Sequence, residues 1–185
     1  MPGDDLFLLV EDSEEDVFLL RRVFLKANII NPLQVVKGGR EALAYLSGSG
    51  PYANRAEHPF PALVLLDLNM PDMNGFEVLE WIRRQPAFMS LRVVVLTVSG
   101  HAADINRAYK LGANSFLTKP TDFDRFVEIS QALSGYWLWT SAAPDASRPV
   151  LSLPQTAAAP ADQPIERVNP VAVALLPPRI RPPGP

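Results

Sequence analysis

The sequence of 185 residues contains no cysteine. That absence excludes disulfides, thiolate catalysis and cysteine-ligated zinc. Histidine is nearly absent too: His58 and His101 are isolated and make a poor metal site. Neither sign of charge dominates, and a net charge of -3 gives no electrostatic reason to expect nucleic acid or an anionic membrane as partner. No window approaches the ~20 apolar residues of a membrane span. The opening Met-Pro-Gly-Asp-Asp lacks the basic region and apolar run of a signal peptide, so a cytoplasmic protein is expected.

What is present suits a folded domain, with 48% apolar and 20% charged residues. The most informative stretch is Ala62 to Pro71. Leu63 to Leu66 reads as a strand buried on both faces, the pattern of a central strand in a parallel sheet. Asp67 follows at its carboxyl end, and Pro71, Asp72, Asn74 and Gly75 supply a turn. Leu6 to Val10 is a second apolar run, and it leads into Glu11-Asp12-Ser13-Glu14-Glu15-Asp16. Ser13 is a good helix N-cap, and Glu14, Glu15 and Asp16 are explained by the helix dipole. Glu11 and Asp12 precede the helix, where adjacent carboxylates repel unless a cation or water accommodates them.

The rest of the chain repeats strand and helix. A helix carries Val17, Leu20, Val23 and Phe24, ending near Asn28; a strand follows over Pro32 to Val36 and a short helix over Gly39 to Leu46, with Ala42, Leu43 and Leu46 inward. Phe76, Leu79 and Ile82 mark a helix closing near Pro86. Leu91 to Val98 reads as a strand, and Ile105, Ala108, Tyr109 and Leu111 as a helix ended by Gly112. Ser115 to Lys119 is a last short strand, and Thr121 is expected to cap a final helix bearing Phe123, Phe126, Val127, Leu133 and Trp137. Five strand-helix units imply an α/β fold, a doubly wound five-stranded parallel sheet.

Two stretches stand outside this repeat. Residues 47–61 carry Gly48, Gly50, Pro51, Pro59 and Pro61 and form a long loop, either a plain surface insertion or a recognition loop using Tyr52 and Phe60. Residues 141–185 hold 11 of the 19 prolines and are expected to be a disordered tail beyond a domain spanning 5–140. Leu175-Leu176-Pro177-Pro178-Arg179 matches proline-rich docking segments only loosely.

In a parallel sheet all strand carboxyl ends share one edge, which brings together Glu11 with Asp12, Asp67, Thr97 and Lys119. Three acids beside one lysine suit a hard divalent cation such as Mg2+, with phosphate as the natural ligand. The set offers a carboxylate nucleophile, a metal site, an ammonium and a hydroxyl, the parts needed for phosphoryl transfer.

On these residues the sequence resembles the receiver domain of two-component response regulators. The match lies in Glu11-Asp12, Asp67 within Leu-Asp-Leu-Asn-Met-Pro, Gly75, Thr97, Phe116 and Lys119-Pro120, and covers residues 5 to about 139. The resemblance implies a flavodoxin-like fold and phosphorylation of Asp67 by a phosphohistidine of a sensor kinase. It implies Mg2+ bound by Asp12, Asp67 and the carbonyl of Asn69, with Glu11 holding metal-bound water. Thr97 and Lys119 would contact the phosphoryl oxygens, and Phe116 would change rotamer with Thr97. The Lys119–Pro120 bond is expected to be cis.

The 47–61 insertion and Tyr136-Trp137-Leu138-Trp139 are similar to single-domain regulators that work with bacterial phytochrome kinases, so such a kinase, or a phosphotransfer protein, is the expected partner. Clustered aromatics at the helix end point to a homodimer. The expected role is a stand-alone switch and not a turnover enzyme. Alternatives are a phosphate sink or relay intermediate, and a small Mg2+-dependent phosphohydrolase. The last would need a second carboxylate just after Asp67, where Asn69 stands.

Overall fold

A computed structural model describes residues 5–140, with side chains described to residue 132. The tail at 141–185 and the side chains of Tyr136 to Trp139 lie outside the described residues. Five strands, β1 (Phe7–Val10), β2 (Leu33–Val36), β3 (Leu63–Leu66), β4 (Arg92–Thr97) and β5 (Ser115–Thr118), form one parallel sheet in the order β2-β1-β3-β4-β5. Helices α1 (Glu14–Lys26), α2 (Gly39–Ser47), α3 (Gly75–Arg84), α4 (Ala102–Lys110) and α5 (Phe123–Thr140) alternate with them.

The continuous apolar runs are continuous because both sheet faces are covered. Successive side chains of a strand point to opposite faces, and the core divides accordingly. Leu8, Val10, Val64, Leu66, Val93 and Val95 pack with Ala42, Tyr45, Leu46, Val78, Leu79 and Ile82 of α2 and α3. Phe7, Leu9, Leu63, Leu65, Val94 and Leu96 pack with Leu20, Val23 and Phe24 of α1 and with Phe126 and Val127 of α5. Tyr45, not Leu43, completes the inner face of α2: Tyr45 is fully buried and Leu43 only half-buried.

Local signals set the helix starts. Ser13 Oγ accepts from Asp16 N at 3.2 Å, as its position predicts. Asn74 and Glu77 form a reciprocal capping box on α3, a device contributing about 1 kcal/mol. On α5 the cap is Asp122, whose Oδ1 accepts from Arg125 N at 2.7 Å, and not Thr121. Both residues are good caps, but Phe126 N reaches Asp122 O, so the first helical turn starts one residue later. No peptide bond among the described residues is cis, so Lys119–Pro120 is trans, contrary to expectation. The trans form is intrinsically lower by ~0.5–1 kcal/mol, and here the Lys119 amide stays paired with Thr97 O at 2.7 Å.

The 47–61 stretch is stapled to the domain rather than free. It contains a 3-10 turn over Gly50–Tyr52. Arg55 donates to the carbonyls of Tyr45 (2.8 Å) and Leu46 (2.6 Å), adding side-chain donors at the end of α2, where helical acceptors run short of backbone partners. Tyr45 donates to Pro59 O at 2.9 Å. Tyr52 is buried, donates to Glu41, and meets the edge of His58 with ring centroids 5.0 Å apart. Tyr52 is therefore a core residue and not part of a recognition surface. Phe60 is 45% exposed and packs against Phe88 in a tilted pair with ring centroids 5.3 Å apart.

Candidate functional site

The order β2-β1-β3 makes the chain reverse direction across the sheet between β1 and β3, and such a switch point opens a crevice at the strand ends. Backbone pairing carries the site residues just past those ends. Glu11 N donates to Val36 O and Asp67 N to Val10 O, both at 3.1 Å, while Lys119 N is held by Thr97 O. Glu11, Asp67 and Thr97 are buried, and Asp12 is exposed.

Glu11, Asp12 and Asp67 each present a carboxylate oxygen within 4.8 Å of the other two. Lys119 Nζ donates to Glu11 Oε2 at 2.6 Å and to Asp16 Oδ2 at 2.6 Å, and lies 3.8 Å from Asp67 Oδ1. Glu11 Oε1 accepts from Ser13 N at 3.0 Å. Asp67 Oδ2 accepts from Asn69 N at 3.2 Å, whereas Asp67 Oδ1 is buried with no hydrogen-bond partner. Thr97 Oγ1 accepts from Asn69 Nδ2 at 3.3 Å and from Ser99 N at 3.4 Å.

One ammonium thus faces three carboxylates, Glu11, Asp16 and Asp67, with Asp12 clustered beside two of them. Burial pushes the Glu11 carboxyl above its ordinary range against the hydrogen bond from Lys119, and the neighbouring charge of Asp67 adds to the rise. Burial alone would lower the Lys119 ammonium, but its hydrogen bonds to Asp16 and Glu11 outweigh that and raise it. Excess negative charge, hard oxygen donors and an orphaned buried oxygen on Asp67 together fit a divalent cation, and Mg2+ suits a few carboxylates with water and phosphate completing its shell.

All the predicted acids and Lys119 meet at one point. The Thr97 hydroxyl joins them through Asn69, which also reaches Asp67, while the Thr97 carbonyl holds the Lys119 amide. Phe116 is buried on the α3/α4 side of the sheet. Two contributions were not anticipated. Asp16, fully accounted for by helix capping, also binds Lys119. Asn69, expected to act through its main-chain carbonyl, also bridges to Thr97 with its side-chain amide. Both follow from the edge geometry: the amino end of α1 and the loop after β3 that carries Asn69 start at the same rim as the strand ends.

The family model described as the response regulator receiver domain matches residues 7–131. Response regulator Rcp1 of Synechocystis sp. is 37% identical over 141 residues, covering 76% of this chain and 94% of that protein. The crystal structure of a phosphorylated cyanobacterial phytochrome response regulator, RcpA, is 34% identical with a TM-score of 0.69, covering 76% of this chain and 99% of that one. The structure of Mn(2+)-bound Rcp1 is 36% identical with a TM-score of 0.67, at the same coverage.

Proposed function

This chain belongs to the response regulator receiver family, and we propose that Asp67 is the residue through which it receives its phosphoryl group. The observation that carries this is Asp67 Oδ1, a buried carboxylate oxygen without a donor, 3.8 Å from the Lys119 ammonium. It is a carboxylate oxygen whose lone pairs no donor occupies, beside a neutralising charge. Mg2+, when bound by Asp12, Asp67 and the Asn69 carbonyl with Glu11 holding its water, supplies charge neutralisation on the transferring group.

The remaining chemistry lies with the chain itself. Asp67 Oδ1 attacks phosphorus of a kinase phosphohistidine; the P–N bond breaks, the electron pair leaves with the imidazole, and an aspartyl phosphate forms. Lys119 donates to a phosphoryl oxygen, and Thr97 donates its hydroxyl to another after leaving Asn69. Phe116 follows Thr97, one strand away: β4 and β5 pair Val95 with Phe116 and Thr97 with Thr118. Contact surfaces near these residues then change, and the protein signals by binding partners rather than by turning over a substrate. Asn69 stands where a phosphohydrolase would need a general acid, and an amide cannot donate a proton in that way.

The relatives named as phytochrome regulators favour a phytochrome-type sensor histidine kinase as donor, with a separate phosphotransfer protein as the other candidate. We place the protein in the cytoplasm, where the ATP that charges such kinases is found. Among the described residues no helix is long and apolar enough to cross a membrane. A homodimer through the face near α5 accords with the run of large apolar residues Tyr136-Trp137-Leu138-Trp139 in the sequence. Light scattering on a chain ending at Ser141, with and without a phosphoryl mimic, tests it: a monomer in both states contradicts the dimer. Phosphorylation itself is tested by transfer of radiolabel from an autophosphorylated kinase of that class. Label should pass to the wild-type chain only with Mg2+ and not to Asp67→Asn; transfer to Asp67→Asn at the wild-type rate contradicts the assignment.

A further inference from the structure

Lys119 is already engaged before a phosphoryl group arrives. Its ammonium has three protons to donate, and two are spent at 2.6 Å on Glu11 and Asp16, while 3.8 Å to Asp67 is beyond a hydrogen bond. The two partners are not equivalent. The Glu11 side chain is 2% exposed and is also pinned by Ser13 N, so releasing it would strand a buried carboxylate. The Asp16 side chain is 35% exposed and can be rehydrated when released. Its own backbone is fixed independently, since Asp16 N donates to Ser13 Oγ.

We infer that Asp16 is a positioning residue: it holds Lys119 away from Asp67 in the resting state and is the partner given up when Lys119 turns to a phosphoryl oxygen. The inference rests on Asp67 being the phosphoacceptor. One charge-assisted bond is exchanged for another, so the strength of the Asp16 hold subtracts directly from the gain at the phosphoryl group. Asp16→Asn keeps the shape and one acceptor oxygen but removes the charge, which weakens the resting bond while the ammonium keeps it charge-assisted. Glu11 still anchors Lys119, so the ammonium stays in the site.

The test is titration of the full chain with beryllofluoride at saturating Mg2+, followed by fluorine NMR. Asp16→Asn should bind the mimic about threefold to tenfold more tightly than wild type, as expected when a charged acceptor becomes neutral. Asp16→Glu, which restores the charge, should return the affinity toward wild type. Equal or weaker binding by Asp16→Asn overturns the inference, as does equal tightening by Asp16→Asn and Asp16→Glu. A role confined to holding α1 in place would lower thermal stability in Asp16→Asn and leave affinity unimproved. Asp67→Asn is the separate arm: if it binds beryllofluoride as wild type does, the phosphoacceptor assignment fails, whatever the Asp16 variants show.

Discussion

Gly75→Ala should damage fold and site together. Gly75 opens α3, and its amide donates to Leu68 O at 3.1 Å. A Cβ at this position would lie 2.1 Å from Asp67 O, 2.9 Å from Leu68 Cα and 3.0 Å from Asp67 C. All three are backbone atoms, so no rotamer change relieves the clash, and the start of α3 must move by on the order of 1 Å. Overpacking of this kind costs about 1–3 kcal/mol, and the upper end applies because the Asn74–Glu77 capping box and the Gly75–Leu68 bond move with the helix. For a chain of this size ~3 kcal/mol lowers the melting temperature by roughly 6–12 °C. Gly100→Ala is the control, since its Cβ would meet only Thr118 at 3.7 Å, an ordinary contact. Thermal denaturation followed by circular dichroism compares the two. Because the clash is with the carbonyl of Asp67 itself, phosphorylation by acetyl phosphate should also slow, by about a hundredfold for a displacement of ~1 Å. If Gly75→Ala melts within a degree or so of Gly100→Ala and phosphorylates normally, the packing of α3 on Asp67 is not as described.

Three further outcomes are expected. Arg83 donates to the carbonyls of Gly112, Phe88 and Leu91 and to Asn114 Oδ1, and burial lowers its pKa; Arg83→Lys keeps the charge, loses the fork, and should cost about 2–4 kcal/mol in urea denaturation. Asp12→Ala removes an exposed carboxylate from the candidate cation cluster, so isothermal titration should show Mg2+ affinity reduced about tenfold or more; metal-free stability should stay within ~0.5 kcal/mol. Burial, then the hydrogen bond to Glu41, pushes the Tyr52 phenol up to about 12. The folded state favours the neutral phenol, so this stabilisation is complete below pH ~10 and is lost as pH rises through about 12. In Tyr52→Phe the tyrosinate absorbance that develops near pH 12 should fall by one tyrosine's share.

The sheet was legible because its strands are buried on both faces: runs such as Leu63 to Leu66 leave no alternation to misread, and the acids after them mark the edge. The chemistry of that edge was legible for the same reason, since parallel strands put Glu11, Asp67, Thr97 and Lys119 side by side whatever their separation in sequence. Residues with two roles were harder to read. Asp16 satisfies a helix terminus, and nothing local reveals that its carboxylate also reaches Lys119, 103 residues away. Arg83 in the last turn of α3 reads as a dipole complement, although its fork ties α3 to the loops around β4. The 47–61 stretch lacks periodicity because its order comes from single long-range contacts, with Arg55 on the end of α2 and Tyr52 on Glu41.

The most direct test of the phosphoacceptor site is to incubate the chain with acetyl phosphate and Mg2+, reduce it with borohydride, and map the peptides. Reduction converts an aspartyl phosphate to homoserine and so marks the phosphorylated position. Homoserine at position 67 alone, formed only when Mg2+ is present, is the predicted result. Homoserine at position 12, or modification of Asp67 that proceeds equally well without Mg2+, would contradict it.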